Sequence, residues 1–220
     1  MLMARFTQRP IVPEEHFNDG AVLPYGLTVA EVRQAMHGTY DFFHAINPFL
    51  VERGYGRLED ILLGNSFAGV LSETLVKSLS DASHTLTRNR KVGGHPDLIL
   101  PGRYPDDAVL RGEDGIEVKA SKTKGGWQGH NPEKGWVVIF RYIVDTLTQP
   151  VEDRHPTEFV EVLAAELEED DWNFSGRTGD SRRTITASIN VRGTAKLRSN
   201  AIFRNPQYVV GARRRRATPE

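Results

Sequence analysis

Apolar residues recur at helical spacing from Thr28 to about Ile46, with Val32, Ala35, Met36, Tyr40, Phe43 and Ile46 on one face. Thr28 and Glu31 have the spacing of a capping box that opens this helix, and Asn47-Pro48 is expected to end or kink it. A second helical stretch covers about 58–79, with Phe67, Val70, Leu71, Leu75 and Leu79 as its stripe and a break expected near Gly64-Asn65. Beyond it the period changes to two. Residues 84–90 alternate, Gly93-Gly94 turns the chain, and 96–100 forms the next strand. After a polar connector over 101–114, the run GIEVKAS (Gly115–Ser121) makes the third strand of an antiparallel meander. The glycine-rich 123–135 reads as a loop, and 136–144 is almost continuously apolar, as a strand buried on both faces should be. Residues 157–167 fit either period, with a strand from Glu158 preferred; the β-branched 184–191 forms another strand, and 1–27 an extended arm. The expected fold is α/β, a mixed central sheet flanked by helices.

Composition narrows the class. At 220 residues, 39% apolar and 26% charged, the chain has the profile of an ordinary globular protein of one large domain. No apolar run is long enough to cross a bilayer and the N-terminus lacks a secretory pattern, so a soluble cytoplasmic protein without membrane contact is expected. The absence of cysteine excludes disulfides and thiolate chemistry, leaving carboxylates and histidines as metal ligands. Net charge is −1, which excludes a uniformly basic nucleic-acid binder. The distribution is uneven, however: 152–171 is strongly acidic, whereas from Arg177 onward arginines and lysines dominate, ending in Arg213–Arg216. One face for nucleic acid fits that asymmetry, and so does a solvated tail for the terminal run.

Within GIEVKAS, Glu117 and Lys119 leave the strand on one face. An exposed ion pair there would contribute under ~1 kcal/mol. Asp97 opens the preceding strand, twenty residues earlier. Antiparallel neighbours on one face stand about 5 Å apart, so Asp97 and Glu117 can converge on a hard cation with oxygen ligands, in the manner of Mg²⁺. Lys119 points the same way and can position a water.

Pro96-Asp97 followed by Glu117-Val118-Lys119 resembles the PD-(D/E)XK nuclease superfamily, the core of many restriction endonucleases. The resemblance implies a restriction endonuclease-like core over residues 57–145, preceded by an arm and helical region (1–56) and followed by a β-rich part of the same domain (146–212) and a basic tail (213–220). It implies phosphodiester hydrolysis with Mg²⁺, or Mn²⁺ in its place. Asp97, Glu117 and the Val118 carbonyl would be metal ligands, and Lys119 would position the water. Glu73, on the preceding helix, matches a further family glutamate. One difference is visible: the family's second core helix follows ExK, where TKGGWQGHNPEKG is a poor helix former.

Around this core, Lys122, Lys124, Gln128, His130 and Asn131 are candidates to meet DNA as the chain leaves the catalytic strand, with Trp127 able to stack on a base. Arg182, Arg183 and Arg192 are candidates for backbone phosphates, and His95 for either a turn contact or the metal's water shell. The function these features imply is a Mg²⁺-dependent DNA endonuclease of restriction or phage-defence type. A homodimer is expected, since cutting a duplex takes two sites or two visits. The alternatives are a non-catalytic DNA-binding module on the same fold and a structure-selective enzyme such as a junction resolvase.

Overall fold

The computed structural model describes residues 4–5, 8–129, 131–174 and 187–208. Helix α1 (Val29–Glu52) starts as its sequence requires: the Thr28 side chain accepts from the Glu31 amide, and Glu31 reaches back to the Thr28 amide. Of the two outcomes expected at Asn47-Pro48, an end or a kink, the helix does not end there but runs on past Pro48. Proline removes one helical hydrogen bond, yet Asn47 is buried and pinned from outside. Its Oδ1 accepts from the Leu58 amide at 3.0 Å and its Nδ2 donates to Glu59 at 2.8 Å. Tertiary contact outweighs the local preference there. The second helical stretch is broken as expected, into α2 (Leu58–Ile61) and α3 (Gly64–Ala82).

Strands β1 (Thr87–Arg88), β2 (Leu98–Ile99) and β3 (Ile116–Ser121) form the antiparallel meander. Both early strands are shorter than their alternation suggests. Side chains take over the ladder's acceptors: Ser83 Oγ accepts from the Leu86 amide and Ser80 Oγ from the Arg88 amide. The short strand β4 (Gln128–Gly129) follows, and β5 (Gly135–Ile143) then returns parallel to β3, with Ile116 opposite Trp136. Among the described residues no helix lies between β3 and β5, in keeping with the glycines there. β6 (Glu158–Leu167) begins at the expected residue and pairs antiparallel with β5. Strands β7 (Trp172–Phe174) and β8 (Ala187–Ile189) join β4 in a second, three-stranded sheet; residues 184–186 of the expected strand lie outside the described residues. Helix α4 (Val191–Ser199), which polar residues and Gly193 conceal in the sequence, is capped by Asn190 and leads into β9 (Ala201–Arg204).

The main sheet has the order β1-β2-β3-β5-β6-β9, one parallel pair among antiparallel ones, so the protein is mixed α/β. Each face has its own core. Ile116, Val118, Val138 and Phe140 pack under α1 and α3, while Val137, Ile139, Leu163 and Leu167 pack with Trp127, Trp172 and Leu197 beneath the small sheet and α4. Strand β5 is thus buried on both sides, as its apolar run predicts. The arm folds back on the last strand, with Phe17 bridged to Phe203 and the Asn18 amide bonded to Ile202. That contact covers an otherwise open sheet edge. No helix among the described residues is long and apolar enough to cross a membrane.

Gly115 sets the approach of β2 to β3. Its φ is +151°, and a Cβ there would stand 2.2 Å from the Leu98 carbonyl oxygen and 2.3 Å from Pro96 Cγ. Backbone cannot yield as a flexible side chain can. Gly115→Ala is therefore expected to cost at least about 2 kcal/mol, read as a clear fall in Tm. An unchanged Tm would show that the two strands have slack.

Candidate active site

Ile116 and Val118 point into the helical core, so alternation sends Glu117 and Lys119 to the other face. They stand side by side, as predicted: Lys119 Nζ donates to Glu117 Oε1 at 2.9 Å. The other oxygen, Oε2, is 2.9 Å from His95 Nδ1. Because β2 has only two residues, β3 loses its neighbour beyond Ile116, and its next edge amides need other acceptors. Asp97 Oδ2 accepts from the Val118 amide at 2.8 Å, and Ser72 Oγ from the Ala120 amide at 3.1 Å. The N–H and C=O of one strand residue point the same way, so the Val118 carbonyl faces the open edge beside Asp97.

Buried Asn89 holds the turn that delivers His95 and Asp97. Its Nδ2 donates to the Pro96 carbonyl at 2.9 Å and the Val109 carbonyl at 2.8 Å, and its Oδ1 accepts from the Lys91 and Val109 amides, both at 3.0 Å. The polar connector is laced to the same turn through Gly112 N–H and the His95 carbonyl.

The charges are unequal in their surroundings. Burial, then the neighbouring Glu117 carboxylate, push the Asp97 carboxyl well above its ordinary value, against the Val118 hydrogen bond and the Lys119 charge. Burial would raise Glu117 too, but the His95 hydrogen bond and the Lys119 ammonium outweigh it and hold that carboxyl low. For His95, burial lowers the imidazole, and the Glu117 contact more than reverses this. Asp97 is thus the carboxyl crowded by burial and by a neighbouring carboxylate, a condition that a divalent cation relieves. Together with the oxygen donors of Asp97, Glu117 and Val118, that crowding fits a hard dication.

Glu133 joins this group, and the sequence pattern had not singled it out. It is the one acid in 123–135, and the parallel pairing of Ile116 with Trp136 brings the segment entering β5 alongside the one entering β3. Its Oε2 lies 3.9 Å from His95 Nδ1. A cleft of ≈820 Å³ opens here, lined among others by Tyr25, His95, Arg111, Asn131, Glu133 and Lys134. A second hollow, of ≈420 Å³, has Asp97 in its wall with Glu73, Arg88, Arg90 and Lys91.

The other candidates differ in place. Glu73 shares the wall of the smaller hollow with Asp97 but is exposed and ion-paired with Arg88; α3 covers the Ile116 and Val118 side of β3, opposite the face that Glu117 and Lys119 leave. Lys122 is exposed, its ammonium 5.9 Å from the Tyr142 ring centroid. Lys124 is also exposed, and its carbonyl accepts from Arg198 at 2.7 Å. Gln128 is exposed on β4, opposite Ser188, and Asn131 lies on the rim of the larger cleft. Trp127 is 2% exposed within the second core and so is not available to stack on a base, contrary to expectation. Arg192, on α4, is engaged with Asp171 at 3.0 Å. His130, Arg182, Arg183 and the Arg213–Arg216 run lie outside the described residues. No protein-family model, curated protein or solved structure matches the chain.

Proposed function

We propose that this chain is a metal-dependent endonuclease that hydrolyses phosphodiester bonds in DNA on a restriction endonuclease-like core, of restriction or phage-defence type. The observation that carries the proposal is the grouping at one sheet edge: Asp97 on the Val118 amide at 2.8 Å, and Lys119 on Glu117 at 2.9 Å in the adjacent residues. Asp97, Glu117 and the Val118 carbonyl would hold Mg²⁺ or Mn²⁺, which when bound supplies Lewis-acid stabilisation of phosphate charge and a more acidic water.

The protein's own groups have defined parts. Glu117 fixes the Lys119 ammonium, whose remaining N–H donors can hold a water or a phosphate oxygen. Asp97 keeps its place by capping the strand amide, so its second oxygen is presented rather than floating. Arg88, Arg90 and Lys91 are exposed around the hollow that Asp97 lines, and supply positive potential for a polyanion. A homodimer would bring two such sites to the two strands of a duplex.

The test is incubation of the protein with supercoiled plasmid, in Mg²⁺ and in EDTA. Nicked or linear product in Mg²⁺ alone is expected. Plasmid left supercoiled in Mg²⁺ and in Mn²⁺, for modified and unmodified DNA, would remove the proposal.

A further inference from the structure

Beside the Asp97 edge, a different set of donors converges. His95 Nδ1 is 2.9 Å from Glu117 Oε2 and 3.9 Å from Glu133 Oε2, and one donor atom from each residue lies within 4.8 Å of the others. Around an ion with bonds of about 2.1 Å, neighbouring ligand atoms stand about 3.0–3.4 Å apart in octahedral or tetrahedral shells. Small side-chain rotations would therefore bring this set onto one ion. All three residues also line a cavity of ≈10 Å³ walled by Pro96, Gly115 and Trp136. That is the space of about one water-sized sphere, enough for a single ion.

We propose that His95, Glu117 and Glu133 form a binding site for a first-row transition-metal dication such as Zn²⁺ or Mn²⁺. The chemistry follows from the donors. Mg²⁺ takes oxygen ligands, keeps its waters and demands near-octahedral geometry, whereas imidazole suits Zn²⁺ and its neighbours. An imidazole nitrogen with two carboxylate oxygens, from three separate segments, is a mixed set that favours the latter. Glu117 has an oxygen for each side: Oε1 faces Lys119 and Oε2 faces His95. The inference rests on the nuclease proposal for what the ion would serve, and on geometry alone for the site itself. The competing explanation is that His95 merely holds Glu117 in position.

Calorimetric titration of the full chain with Zn²⁺ and with Mg²⁺, beside pulsed EPR of the Mn²⁺-loaded protein, separates the two. Expected are tighter binding of Zn²⁺ than of Mg²⁺, and a loss of Zn²⁺ affinity of at least about tenfold in both His95→Ala and Glu133→Gln. A nitrogen hyperfine coupling on Mn²⁺ should be present in the wild type and absent in His95→Ala. If His95→Ala does not fold, Glu133→Gln, checked by its metal-free Tm, decides alone. Equal Zn²⁺ affinity in wild type and the folded variants, or no nitrogen coupling, overturns the site. Plasmid cleavage in Mg²⁺ alongside that result leaves the nuclease proposal standing. His95-dependent Zn²⁺ binding with no cleavage under any metal does the reverse.

Discussion

Glu117→Gln and Asp97→Asn are each expected to lower Mg²⁺-dependent strand scission by at least about 10²–10³-fold, or ~2.7–4 kcal/mol of transition-state stabilisation. Both replacements preserve shape and remove an anionic oxygen where charge must be balanced. Asn at 97 can still accept from the Val118 amide through its carbonyl oxygen, so the edge of β3 stays capped. Gln at 117 can accept from Lys119 on one side and meet His95 on the other. Folding should survive in both cases, checked by circular dichroism and Tm, and the plasmid assay then reads chemistry alone. Wild-type cutting by either folded variant would withdraw that residue from the active site.

Arg57→Ala should be the most damaging substitution away from the site, costing about 3–5 kcal/mol, or a Tm drop of roughly 6–20 °C for a chain of this size. Arg57 is completely buried. Its guanidinium donates to both oxygens of Asp60, at 2.6 and 2.7 Å, and to the carbonyls of His155 at 2.9 Å and Asp145 at 2.6 Å. Glu59, itself buried, lies 3.6 Å away. Truncation leaves two carbonyls short of a donor, leaves Asp60 to Arg154 at 3.0 Å, and removes the cation beside buried Glu59 at the joint between α2 and the β5–β6 connection. Arg57→Lys should recover only part of the loss, because an ammonium cannot span the fork. A Tm for Arg57→Ala within a degree or two of wild type would mean that water replaces the guanidinium.

The contrast between these two places explains what could be read in advance. Glu117 and Lys119 stand on a strand whose alternation assigns their face directly, and Asp97 immediately precedes the antiparallel neighbour, so the three are brought near one another by local pattern and a hairpin. Arg57 and Glu133 carry no such mark. Arg57 looks like any loop arginine, and its partners Asp145 and His155 come from segments nearly a hundred residues on. Glu133 sits in a glycine-rich loop whose course depends on β5 lying parallel to β3. Trp127 shows the same limit from the other side, since a tryptophan among glycines and polar residues has no periodicity to say whether it faces solvent or a second core.

By itself, then, the amino-acid sequence determined the capped start of α1, the break before α3, the meander, the doubly buried β5 and the shared face of Glu117 and Lys119. Each depends on interactions within a few residues or on a period that burial imposes along one element. Tertiary structure alone decided that α1 continues through Pro48, that α4 forms, that Asp97 caps an edge amide, that Trp127 is core and that Glu133 meets His95. Those outcomes turn on which distant groups occupy the space next to a residue, and a buried polar atom takes whichever partner the packed fold supplies.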